Sequence, residues 1–269
     1  ADVDFVDVDP DTGLMSVKAL AQKLELAKRN NSLPKIVVPV HLCGTCCDMA
    51  SIAALSDRYN FHVLEDASHA IGGLYQGSHV GNCRFSSITV FSFHPVKIIT
   101  TGEGGVSTTN DPFLAQRMVD LRSHGITKDP DRFEFPLQGP WSYEQQELGF
   151  NYRMTDFQAA LGQSQLERLD KIVNERNLLQ ESYRTYLSDL PVQLLAVPPD
   201  VLSSLHLSVI RLADRSPAHH RRVFEGLRLA GIGVQLHYTP VHLQPYYRDL
   251  GFQQGDFPEA EAYATNAIS

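Results

Sequence analysis

The segment Ser92-Phe93-His94-Pro95-Val96-Lys97-Ile98-Ile99 sets one lysine among apolar residues, directly before the glycine-rich turn Thr101-Gly102-Glu103-Gly104-Gly105. A buried ammonium is costly unless it is paired or neutralised, so such a lysine either runs its stem to the surface or uses its amine for chemistry. A second segment, "FHVLEDASHAIGG", puts Glu65, Asp66 and His69 where a buried strand runs out. A third, "TVFSFH", ends at Ser92 and His94, with Lys97 shortly beyond. In open α/β sheets ligands gather at the carboxyl ends of strands, so an acid, a hydroxyl, two imidazoles and an amine are brought to one edge.

Singly, each residue has an ordinary structural use. An acid at a strand end caps or turns the chain, and a lysine there snorkels. Together they match one chemistry. A lysine in apolar surroundings has a depressed pKa and attacks carbonyls as a neutral amine, forming a Schiff base. Pyridoxal phosphate is the cofactor that most often uses such a lysine, and it needs an acid at its pyridinium nitrogen to act as an electron sink. Asp66 suits that place. His69 offers a flat side chain beside the ring, Ser92 a hydroxyl for the phosphate, and the "TGEGG" turn close backbone approach.

Composition bounds the alternatives. A chain of 269 residues with 43% hydrophobic content can bury one large core, or one core with a small appended domain. The net charge of −8 and the lack of any Lys/Arg cluster exclude a nucleic-acid surface, because phosphate neutralisation needs basic patches. No apolar run is long enough to cross a bilayer, and the start "ADVDFVDVDP" lacks the layout of a signal peptide, so a cytoplasmic location is the default expectation. Cys43, Cys46 and Cys47 fall in "HLCGTCCDM" beside His41, but a structural zinc site usually has a second paired half and Cys83 stands alone. Small buried side chains after a strand are the favoured reading, with no metal.

The elements that must position these residues alternate. Strand patterns at 3–9, 35–40, 61–67, 86–94 and around "GGVSTT" are separated by helical patterns at 16–31 and 48–59, which predicts a mostly parallel α/β sheet covered by helices. An amphipathic helix follows from Asp111 to about Gly125, then a proline-containing loop. A long helical stretch at 155–190 is expected to bridge two domains, divided as 1–165 and 166–269. The remainder, with strand patterns at 205–213 and 233–240 and a helix at about 217–229, reads as a small α+β domain. The chain opens without methionine and closes on "AYATNAIS", an unfinished helical pattern, so it reads as a piece of a longer chain.

The motifs "EDASHAIGG", "FSFHPVKIITTGEGG" and "LGFNYRMTDFQAALGQSQLERLD" resemble the aspartate, lysine and dimer-contact motifs of the DegT/DnrJ/EryC1/StrS sugar aminotransferases, and the likeness runs from Asp2 to Ser269. The resemblance implies the aspartate-aminotransferase fold, pyridoxal phosphate, and a homodimer with a shared active site. Within that family, "VPVHLCGTCCDM", "LRSHGIT" and "GIGVQLHYTPVHLQPYYRDLGF" are most similar to the C4 aminotransferases of the pseudaminic-acid pathway. Those convert a UDP-4-keto-6-deoxy-N-acetylhexosamine of L-arabino configuration to UDP-4-amino-4,6-dideoxy-N-acetyl-β-L-altrosamine, with L-glutamate as donor and 2-oxoglutarate as product. The implied roles are Lys97 as Schiff-base lysine and proton shuttle, Asp66 at the pyridine nitrogen, His69 near the ring and Ser92 on the phosphate. Asn151 would reach the phosphate of the partner subunit's cofactor, and His237 and Tyr238 would lie near the sugar-nucleotide end. Another C4 ketosugar, such as UDP-4-ketopentose or GDP-4-keto-6-deoxymannose, and a non-catalytic relative are the alternatives. The family's phosphate-binding turn precedes the point where this chain begins, so the chain by itself is expected to be weakened or inactive.

Overall fold

The structure is a computed structural model and describes residues 2–269. After an isolated bridge between Val8 and Met15, helix α1 (Val17–Arg29) starts where the Ser16 side chain accepts the Ala19 N–H, and it buries Leu20 and Leu24. Strand β1 (Ile36–Val37), a single 3-10 turn at Leu42–Gly44 and helix α2 (Met49–Tyr59), capped by Asp48, lead to β2 (His62–Asp66). The hairpin β3 (Leu74–Tyr75) and β4 (Ser78–His79) precedes β5 (Ile88–Ser92) and β6 (Gly105–Thr108). The main sheet has the order β1-β2-β5-β6, parallel across the first three strands, with β6 added antiparallel to β5.

Two core clusters form around this sheet. Leu20, Leu24, Met49, Ile52, Phe61 and Val63 join α1 and α2 to it. Ala67, Ala70, Phe91, Phe93, Ile98 and Ile99 form the other, against Met154, Leu169 and Ile172. Helix α3 (Pro112–Arg122) follows, then the short pair β7 (Ile126–Thr127) and β8 (Glu144–Gln145). Helices α4 (Asp156–Leu166) and α5 (Leu169–Tyr186) come next. Strands β9 (Val192–Leu194), β10 (Val201–Leu202) and β11 (Ile210–Leu212), helices α6 (Pro217–Leu229), α7 (Pro245–Asp249) and α8 (Pro258–Ala264), and strand β12 (Ala267–Ile268) complete the chain. The antiparallel sheet β12-β11-β9 packs Leu212, Val234 and Ile268 against Val223, Phe224 and Leu227 of α6 and its surroundings. No helix among the described residues is long and apolar enough to cross a membrane.

Several segments depart from the sequence expectation. Residues 3–9 make a bridge and no strand. The stretch 155–190 is two helices, because the chain breaks at Glu167–Arg168; the turn there brings Leu169 and Ile172 onto the second core cluster. Only Ile210–Leu212 of 205–213 is strand, since Leu205 takes a left-handed φ of 49° and the residues before β11 bond to the 43–44 turn instead. Segment 233–240 contributes a reciprocal backbone pair between Gln235 and Ser269. The helical pattern near the end stops at Ala264, and a buried strand follows.

Ile52 is 0% exposed whereas Leu26 is 57% exposed. Ile52→Ala is expected to lower the unfolding free energy in urea by about 2–5 kcal/mol, and Leu26→Ala by less than about 0.5 kcal/mol.

Candidate active site

Lys97 sits on a short excursion between β5 and β6. The neck of that loop is closed by backbone bonds from Phe93 N–H to Gly104 C=O at 2.8 Å and from Thr101 N–H to Phe93 C=O at 3.0 Å. Ile98 and Ile99 plug into the core, so the lysine beside them is half-buried and cannot swing freely into water. Burial lowers its pKa; the Asp66 carboxylate acts in the opposite sense. Asp66 is thus an acid whose charge reaches the amine.

Asp66 ends β2. Its N–H donates to Pro39 C=O and its C=O accepts from His41 N–H, both at 3.0 Å, while Oδ1 accepts from Ser68 N–H at 3.0 Å. His69 follows on the next turn, buried, with Nδ1 accepting the Cys43 N–H at 3.3 Å. The ring proton of neutral His69 is therefore on Nε2. The 3-10 turn that supplies this N–H passes through Gly44, whose φ is +97°. An added Cβ there would meet Ser204 Oγ at 2.7 Å, Leu205 N at 2.8 Å and His69 O at 2.9 Å, so only glycine lets the turn approach.

The structure adds a residue that the sequence reading missed. His206, in "LHLSV", is buried and packs against His69 with ring centroids 4.4 Å apart and the planes tilted by 42°. Its N–H donates to Cys43 C=O at 2.8 Å, and its Nδ1 is buried with no hydrogen-bond partner among the described residues. Burial, then the Lys97 charge, pushes His69 down to about 4, with Asp66 opposing. Burial, then His69, Lys97, Arg176 and His237, pushes His206 down to about 3. Only its histidine type signalled His206; its backbone partner Cys43 lies in a distant part of the chain.

The other predicted residues are placed variously. Ser92, partly buried at the end of β5, accepts from His94 N–H at 3.4 Å. His94 does not join the cluster: it is exposed, with Nε2 3.7 Å from Glu103 Oε1. The second imidazole beside Lys97 comes instead from His206 and from His237. His237 is half-buried, bonds the Ser269 hydroxyl and is lowered by burial and then by Lys97. Tyr238 packs edge-on against His237 and is half-exposed; burial raises its hydroxyl, followed by Cys43 and Asp66. Asn151 is exposed, in a bridge with Ser123, amid an uncovered strip that includes Trp141, Leu148, Tyr152 and Phe157. The four cysteines are free and buried.

An amine eased toward neutrality by burial, a carboxylate in its field and two neutral imidazoles form a donor set that fits pyridoxal phosphate. Lys97, Asp66 and His69 are the residues that would hold its ring side.

Known proteins agree with that chemistry. Residues 1–269 match the DegT/DnrJ/EryC1/StrS aminotransferase family. The spore coat polysaccharide biosynthesis protein SpsC of Bacillus subtilis is 34% identical over 269 residues, 98% of this chain and 67% of that protein. Helicobacter pylori PseC, an aminotransferase involved in the biosynthesis of pseudoaminic acid, superposes with a TM-score of 0.87 at 30% identity, covering 99% of this chain and 67% of that one. The putative sugar aminotransferase Spr1654 from Streptococcus pneumoniae, in its PLP-form, gives a TM-score of 0.83 at 27% identity over 98% of this chain and 68% of that one.

His69 and His206 set an acid limit on stability. Their folded pKa values lie below 6.5, so the unfolded state binds more protons and stability falls as pH drops from about 6.5 toward 4 for His69 and toward 3 for His206. Thermal melts between pH 7 and pH 4 are expected to show a shallower loss for His206→Phe than for wild type; parallel curves would contradict the assignment.

Proposed function

The chain belongs to the DegT/DnrJ/EryC1/StrS aminotransferase family and is a pyridoxal-phosphate-dependent sugar aminotransferase, and from that premise we propose its substrates. The amino group comes from L-glutamate and goes to C4 of a UDP-4-keto-6-deoxy-N-acetylhexosamine of L-arabino configuration. The products are 2-oxoglutarate and UDP-4-amino-4,6-dideoxy-N-acetyl-β-L-altrosamine. The likeness to PseC over nearly the whole chain is the observation that supports this sugar.

When bound, the cofactor supplies an electron sink for the carbon that loses its proton. Asp66 would face the ring nitrogen and keep it protonated. His69 would lie along the ring, and the Ser92 hydroxyl would donate to the phosphate. Lys97 would hold the cofactor and, as a free amine, take a proton from the glutamate Cα and later deliver one to the sugar C4. Its half-burial suits it to both tasks, since an amine that stayed an ammonium would accept nothing. His237 and Tyr238 line the sugar-nucleotide end. Donor and ketosugar use the site in turn, which gives ping-pong kinetics.

Asn151 would serve the phosphate of a partner subunit's cofactor in a homodimer. Exposed apolar residues near it in the chain support that assembly: Leu148 is 89% exposed and Phe157 91%. A second reading keeps the chemistry and changes the sugar to UDP-4-ketopentose or GDP-4-keto-6-deoxymannose. SpsC, 34% identical, is named for spore coat polysaccharide and not for pseudoaminic acid, and a few pocket contacts, worth roughly 1–3 kcal/mol each, separate similar sugars.

Two measurements test this. Pyridoxal phosphate is expected to give the wild-type protein a visible absorption band that L-glutamate bleaches and that Lys97→Ala lacks; a band retained in Lys97→Ala would remove the amine from its role. In a panel of nucleotide ketosugars read by mass spectrometry, the L-arabino UDP sugar is expected to lead in kcat/KM by at least roughly 10-fold. Preference for a ketopentose or ketomannose derivative would establish the second reading.

A further inference from the structure

Glu65, the residue just before Asp66, faces the other way, as strand alternation requires. It is buried, and its carboxylate accepts from His41 Nε2 at 2.8 Å, from Thr89 Oγ1 at 2.9 Å and from the Ser86 hydroxyl. Burial alone would push this carboxyl up, but those hydrogen bonds outweigh it and hold it below its usual range. His41 is 0% exposed. Donor atoms of His41, Cys46 and Glu65 lie within 4.8 Å of one another, which is the composition of a metal site. The hydrogen bonds read otherwise. Cys47 N–H lies 3.3 Å from His41 Nδ1, and although burial lowers the pKa of the ring, its bonds to Cys46, Cys47 and Glu65 raise it by more, so Nε2 carries a proton facing Glu65 and offers no lone pair to a metal.

The network crosses three neighbouring segments next to the site. His41 follows the β1 segment, Glu65 is in β2, and Thr89 sits directly opposite Glu65 in β5. The same His41 donates its backbone N–H to Asp66 C=O at 3.0 Å. Apolar side chains would hold three strands together at least as well, because a buried charge seldom adds net stability over well-packed hydrophobic residues. What a directional network adds is a fixed register at the strand end. We propose that the His41–Glu65 pair is a positioning device for Asp66, setting the height and turn of the strand end from which its carboxylate reaches the cofactor. This rests on the reading of Asp66 given above.

Three variants test it, with equilibrium dialysis of pyridoxal phosphate, thermal melts and amide exchange as readouts. Glu65→Gln keeps the hydrogen-bond geometry and is expected to bind cofactor within roughly 3-fold of wild type. The double change His41→Leu with Glu65→Leu is expected to keep its Tm within a few degrees while loosening cofactor by roughly 10- to 100-fold. It should also speed exchange of the His41 and Asp66 amides, a readout that needs no cofactor. Wild-type affinity and wild-type exchange in the double variant would overturn the proposal. If that variant fails to fold, Thr89→Val decides: cofactor weakened by roughly 2- to 5-fold at unchanged Tm supports the device, and unchanged affinity sinks it. Asp66→Asn is measured alongside; unchanged affinity there would remove Asp66 from the cofactor, whereas a loss there with none in the double variant would remove only the positioning role. Stoichiometric zinc in the purified protein would also overturn the proton-sharing network.

Discussion

Burial pulls the Lys97 amine toward its neutral form while the Asp66 carboxylate pulls it toward ammonium, and separate parts of the fold hold the two groups. The amine is held by its neighbours in sequence, Ile98 and Ile99, whose packing leaves the loop little freedom. The acid is held by backbone bonds across the strand edge, to Pro39 and from His41. Amine and acid therefore have independent anchorages.

The charge balance explains why the histidines around this pair remain neutral. An imidazolium at His69 or His206 would face Lys97 at short range inside a poorly hydrated wall, so burial and like charge act in the same direction. A neutral pair of packed rings fills the wall without adding positive charge. Cys43 organises both, giving its N–H to one ring and its C=O to the backbone of the other. Its left-handed φ of 60° and the closely packed Gly44 beside it show how tightly this turn is folded to do so.

Opposite faces of β2 carry different kinds of polar group. The Asp66 carboxylate acts on the Lys97 amine, whereas Glu65 is enclosed by donors from His41, Ser86 and Thr89. Adjacent carboxylates thus have separate roles because the pleat sends them to opposite sides. The second core cluster, extended by Leu169 and Ile172, backs the Lys97 loop, and this is what the break between α4 and α5 provides.

The sequence by itself determined the strands ending at Asp66 and Ser92, the capped helices at Ser16, Asp48 and Asp111, and the setting of a lysine among isoleucines. Each is written in local periodicity, capping chemistry or neighbouring side chains. Tertiary structure alone decided the rest. Ser204 bonds the His69 carbonyl from 135 residues away, and the same segment delivers His206, so no local pattern marks that ring as part of the site. His94 was a candidate imidazole in the sequence and His206 was not, yet the loop turns His94 out toward Glu103. The helix break at Glu167–Arg168 was illegible for the same reason: unbroken helical periodicity does not reveal that a distant core needs Leu169 on a new face. Local propensity fixes which way a side chain points along its own element, while the packing of remote elements fixes what it meets.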